Sequence, residues 1–145
     1  MPAAARHDSL GLSGLAVGQG LPVALGAAIA APDRPVVALQ ADGSAMFTMS
    51  ALWTMARERI DVTMVILDNS GYASVDREGG RIGDLGRRGR TLVGLRDPST
   101  GFGVPATRAE TTTDLARQFE PALVAPRPHL IHAKINRDSP QTSNG

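Results

Sequence analysis

Residues 34–71 read RPVVALQADGSAMFTMSALWTMARERIDVTMVILDNSG, and the fold turns on this stretch. It holds two short apolar runs, Arg34 to Gln40 and Val62 to Leu67, each followed by polar turn-forming residues. The first run leads into Ala41-Asp42-Gly43-Ser44 and the second into Asp68-Asn69-Ser70-Gly71. Between them Met49, Leu52, Trp53, Ala56 and Ile60 recur at helical spacing, which predicts a helix over Thr48 to Arg59. A short β-branched run with no polar alternation reads as a strand covered on both faces. Two such strands joined by a helix form a parallel β-α-β unit, with the sheet sandwiched between helices.

The flanking sequence extends the same pattern. Leu21 to Ala31 is an apolar run of small residues with Pro22 near its start, as suits a first helical turn, and Pro32-Asp33 ends it. It is preceded by a glycine-rich entry containing Gly11, Gly14, Gly18 and Gly20. Downstream, Val104 to Arg108 reads as a short strand and Thr111 to Val124 as an amphipathic helix with a threonine cap. Pro128 to Ile135 reads as a last strand. The fold class expected is therefore α/β, a three-layer parallel sheet with helices on both faces. One domain spans residues 11–135, between a frayed N-terminus at 1–10 and a polar tail at 136–145. Residues 72–103 are rich in arginine and glycine and read mostly as loop.

Bulk composition narrows the function. At 145 residues the chain has room for one ordinary domain with a real core. Its net charge of +1 gives no basis for a nucleic-acid partner, and the Arg77 to Arg96 stretch is interrupted by Glu78 and Asp84, preceded by Asp76, and lacks aromatics. Cysteine is absent, which excludes disulfides, thiolate metal sites and a cysteine nucleophile and fits a reducing, cytoplasmic setting. No apolar run is long enough to span a membrane, so no membrane partner is expected. Gly18-Gln19-Gly20 is only a fragment of a dinucleotide fingerprint, and Ser44 lacks the surroundings of a nucleophile elbow. His129 and His132 read as turn and surface residues, Trp53 as packing, and Met46, Met49, Met55 and Met64 as core fillers.

Chemistry is expected at the two strand ends, because ligands of open parallel sheets bind at the carboxyl edge. Asp42 offers a carboxylate, Asn69 an amide oxygen and the Ser70-Gly71 turn a backbone carbonyl. Mg²⁺ prefers an octahedron of such oxygens and leaves positions for water and phosphate. Gly43 and Ser44 open the next helix, where free N–H groups can face an anion. The residues alone also allow a plainer reading, since Asp-Gly and Asn-Ser-Gly are ordinary turn sequences.

The pairing of Asp42-Gly43-Ser44 with Asp68-Asn69 resembles the thiamine diphosphate signature, commonly written GDG followed by NN. SGLAVGQGLPVALGAAIAAPDRPVVALQADGSAMF and the ALWT of the next helix are similar to the cofactor-binding domain of acetolactate synthase large subunits and benzoylformate decarboxylases. The GFGVPATRAETT and APRPHLIHAKI segments are similar to that domain's last helix and strand. The resemblance implies that thiamine diphosphate and Mg²⁺ are the cofactors. Asp42, Asn69 and the backbone oxygen of Gly71 would ligate the metal, and Gly43, Ser44 and Tyr72 would meet the diphosphate. Val17 would lie under the bent cofactor, and the backbone near Leu15 would meet its pyrimidine ring.

The chain also departs from that pattern. Ala41 replaces the first glycine of the signature, Asp68 replaces its first asparagine, Leu15 stands where glycine is common, and Leu92 to Val104 is shortened. Asp68 adds a negative charge beside a diphosphate unless its side chain points away. The family's activating glutamate belongs to a separate pyrimidine-binding domain, and Glu58, Glu78, Glu110 and Glu120 lie in no context resembling it. The resemblance therefore implies a 2-keto acid decarboxylase or carboligase domain without catalytic residues of its own and inactive alone. It would work with a separate chain bearing the glutamate, in a homo-oligomer. The alternative is a vestigial, truncated domain that turns over no cofactor.

Overall fold

The computed structural model describes residues 6–11, 13, 14, 16–69 and 101–135. Helix α1 spans Gly20–Ala30, strand β1 Val37–Ala41 and the short helix α2 Asp42–Ala45. A 3-10 turn, Met46–Thr48, links α2 to α3, Ser50–Glu58, and strand β2 follows at Thr63–Asp68. Strand β3 is Ala106–Ala109, helix α4 Thr112–Val124 and strand β4 His129–Lys134. The four strands form one parallel sheet in the order β1-β2-β4-β3.

That order explains the layers. The chain crosses from β1 to β2 in one direction over the sheet and from β3 to β4 in the other. Right-handed crossovers then send the intervening helices to opposite faces. Accordingly α1 and α3 bury Leu21, Ala24, Leu52 and Met55 against Ala38, Met64, Ile66 and Leu130. On the far face α4 sets Leu115, Phe119 and Ala122 against Ala109 and Ile131. Alternate residues of β2 and β4 serve the two layers, so these strands carry no polar stripe.

Local chemistry sets the element ends. Thr111 caps α4, its Oγ1 accepting from the backbone N–H of Asp114 at 3.0 Å. Helix α3 ends with Arg59 in the left-handed region at φ 53°. There Arg59 N–H donates to Ala56 and Ile60 N–H to Met55, the paired bonds of a Schellman ending. Pro121 lies inside α4, where the helix nevertheless continues to Val124.

Three expectations change. The helix placed from Thr48 starts six residues earlier, because Asp42-Gly43-Ser44 takes helical backbone immediately after β1 and is not a separate turn. Strand β1 is covered on one face only: Ala38 is buried, but Val37 and Leu39 are exposed, Leu39 at 71%. The reason is topological, since β1 lies at the sheet edge and α4 packs over β2, β3 and β4. Trp53 does not pack into the core either. It is half exposed and lies under the Arg57 guanidinium, 5.0 Å from the ring centroid. Met55 and Met64 are fully buried as expected, with Met46 and Met49 at the margin of the same core.

Candidate functional site

The carboxyl ends of β1 and β2 lie side by side. Ala41 pairs with Leu67, so Asp42, just past β1, is level with Asp68, the last residue of β2. Asp42 opens α2 and is 3% exposed, while Asn69 follows β2 half buried. Both residues take part in interactions. The β-α-β unit thus brings the carboxylate and the amide to one edge, as their separation by a single crossover requires.

The glycine-rich entry reaches the same edge. Gly18 donates its N–H to Ser44 Oγ at 3.0 Å and accepts from Thr48 Oγ1 at 2.6 Å. Both backbone groups of one residue are therefore held by the segment that follows β1. Gly18 has φ +91°, and a Cβ there would lie 2.8 Å from the Phe47 Cβ. Only glycine fits this close approach without strain. The clip fixes Val17 at the rim, 60% exposed, next in sequence to a glycine that abuts Phe47, which is also exposed. Gly20 lies against the Gln40 side chain, so the start of α1 is seated on β1 as well.

Of the residues singled out from sequence, Val17, Asp42, Gly43, Ser44 and Asn69 fall on this edge. Leu15, Gly71, Tyr72 and the arginine- and glycine-rich stretch 76–96 lie outside the described residues. Ser44 has a role that sequence did not reveal, as the acceptor for Gly18. Its hydroxyl keeps one proton to donate elsewhere. Thr48, in the sequence only the start of a helix, joins the clip, and its spacing from Ser44 by one helical turn is the signal that pairs them.

Asp68 is turned into the sheet. Its side chain is 8% exposed, with Lys134 Nζ at 3.1 Å and His132 Nε2 at 2.9 Å from the same carboxylate oxygen. The lysine contact is a hydrogen bond, whereas the imidazole is close without being aligned for one. His132 is thus a buried strand residue, correcting its placement at the surface. It alternates into the same face as Ile66, its register partner. His129 is half buried and forms a 3.2 Å contact from Nε2 to Thr107 Oγ1. Burial, with the Arg127 charge second, holds its imidazole below the ordinary value of 6.5.

The donor set suits a hard cation that retains outside ligands. Among the described residues no three histidine, aspartate or glutamate side chains converge on a metal position. Asp42 and Asn69 supply two oxygens at the carboxyl edge, the sparse protein contribution that Mg²⁺ tolerates when water and phosphate complete its shell.

Fold and strand order define a parallel α/β domain with polar residues gathered at its carboxyl edge. Residues 7–133 match the family described as thiamine pyrophosphate enzyme, C-terminal TPP binding domain, and the chain belongs to that family. It is 45% identical over 139 residues to the Mycobacterium tuberculosis protein named "Putative acetolactate synthase large subunit IlvX". It is 34% identical over 126 residues to benzoylformate decarboxylase of Pseudomonas aeruginosa. These matches cover 89% and 86% of this chain but 27% and 24% of the relatives, so it spans about a quarter of their length. Among solved structures, the thiamine diphosphate-dependent 4-hydroxybenzoylformate decarboxylase of Rhodococcus jostii RHA1 superposes with a TM-score of 0.77 at 34% identity. That match covers 86% of this chain and 24% of the other.

Proposed function

We propose that this domain binds thiamine diphosphate through Mg²⁺ at the edge formed by Asp42 and Asn69, as part of a 2-keto acid decarboxylase or carboligase. The observation that carries the reading is the convergence of Asp42, Asn69 and the Gly18 clip at one end of a parallel sheet. Asp42 and the Asn69 side chain would hold the metal, with the Gly71 carbonyl as a third ligand. Gly43, Ser44 and Tyr72 would contact the diphosphate. Val17 would support the cofactor from below, with the backbone near Leu15 against the pyrimidine. When bound, the cofactor would supply the electron sink that 2-keto acid decarboxylation or carboligation needs. In this reading the chain's own residues bind and orient the cofactor.

The activating glutamate would come from a pyrimidine-binding domain on another chain, and the domain would act in a cytoplasmic homo-oligomer, inactive by itself. What supports a need for further domains is that three quarters of each relative lies outside the match. The second reading is a vestigial domain that turns over no cofactor, and the replacement of the signature asparagine by Asp68 favours it.

Titration calorimetry with thiamine diphosphate and Mg²⁺ separates them. The folded protein should bind the cofactor only when the metal is present. Asp42→Asn removes a charged ligand and should weaken that binding tenfold or more with the fold retained. Equal affinity for wild type and variant would make Asp42 a turn residue and nothing more.

A further inference from the structure

The cluster of Asp68, Lys134 and His132 has no part in the site assigned above, yet it adjoins it. Asp68 immediately precedes Asn69, and its backbone oxygen accepts from Ile135 N–H at 2.9 Å, so β4 runs alongside the end of β2 there. Asp68 and Lys134 are register partners on adjacent parallel strands. Their side chains meet at 3.1 Å on one face, with His132, two residues earlier on β4, presented to the same face. A carboxylate at this position would repel a diphosphate held one residue away, since like charges a few ångströms apart in a partly buried setting are weakly screened. Here that charge is matched by an ammonium, and the carboxylate is drawn toward β4.

We propose that Lys134 is a positioning residue of the cofactor edge: it neutralises Asp68 and turns it away from the diphosphate, so that aspartate is tolerated beside Asn69. His132 packs behind the pair and limits the directions Asp68 can take. The inference rests on the thiamine diphosphate reading and adds to it a residue 65 positions from Asn69 in sequence, placed beside it by register alone.

The test is a charge cycle read by calorimetry with thiamine diphosphate and Mg²⁺, each variant checked for folding by circular dichroism. Lys134→Met should weaken binding about tenfold at low ionic strength. A merely structural role for Lys134 would leave the variant with both Asp68→Asn and Lys134→Met as weak as Lys134→Met alone. Lys134→Arg should retain binding, and Asp68→Asn combined with Lys134→Met should restore it to within about threefold of wild type. Should Lys134→Met fail to fold, Asp68→Asn alone carries the test. It should bind at least as tightly as wild type, and a tenfold loss would overturn the inference. Wild type that binds while Lys134→Met binds equally overturns this inference and leaves the cofactor reading standing. Folded wild type that binds nothing overturns both.

Discussion

Gly18 shows how much one backbone position can carry. Its N–H and its carbonyl are both bonded to side chains of the segment after β1, and its φ lies where L-residues are strained. Gly18→Ala should lower stability by about 2–3 kcal/mol, the left-handed strain adding to a collision with a Cβ that cannot swing aside. Gly20→Ala is the contrast. The obstacle there is the end of a Gln40 side chain, and the helix gains a better former, so the net change should stay under about 1 kcal/mol. Urea unfolding of the two variants checks the difference. Equal midpoints would show that the clip adds no stability. At this scale Asp42 and Asn69 are legible in the sequence itself, because turn-forming polar residues at the ends of apolar strands announce themselves. The partnership of Asp68 with Lys134 is not, since it depends on which residue of β4 falls opposite β2, and local sequence does not encode that register.

Elements are legible to within a residue or two where an apolar run or amphipathic stretch has clear ends, as in α1, α4, β2 and β4. The exception is the start of the helical segment after β1, where Asp-Gly-Ser satisfies turn and helix start equally well. The edge status of β1 is also hidden, because an apolar run looks the same whether one or both faces are covered. The pairing of β3 with β4 carries a pH dependence. The His129 imidazole is half buried and touches Thr107, and its affinity for protons is below the ordinary one. Between its folded value and 6.5 the unfolded chain holds more protons than the folded one, so stability falls as pH drops through about 6.5. Above 6.5 this contribution is fully present. The thermal midpoint should decrease between about pH 7 and pH 6, and His129→Gln should flatten that decrease. An identical slope in the variant would assign the effect to another group.

For the whole molecule, the layers follow from the sequence pattern but the strand order does not. The sequential β1, β2, β3, β4 arranges as β1-β2-β4-β3 through a tertiary choice about which edge β3 occupies. One result is a sheet margin with Val37 and Leu39 uncovered and, among the described residues, β1 paired on one side only. Apolar surface of this kind favours association. Sedimentation velocity should give a species larger than the 15.1 kDa chain, and Leu39→Lys should shift it toward the monomer. A monomer at all concentrations would remove the case for a homo-oligomer built on this margin.

The double tether of Gly18 also bears on how such a domain can diverge. Positions 18, 44 and 48 share two hydrogen bonds and a space too small for a methyl group, so none of the three drifts independently. The loop before α1 and the first turns after β1 are, in this sense, one heritable module written in two places. A recombination point between them would separate halves that bond to one another, and any graft of the strand-end residues into another scaffold must carry the glycine loop with it.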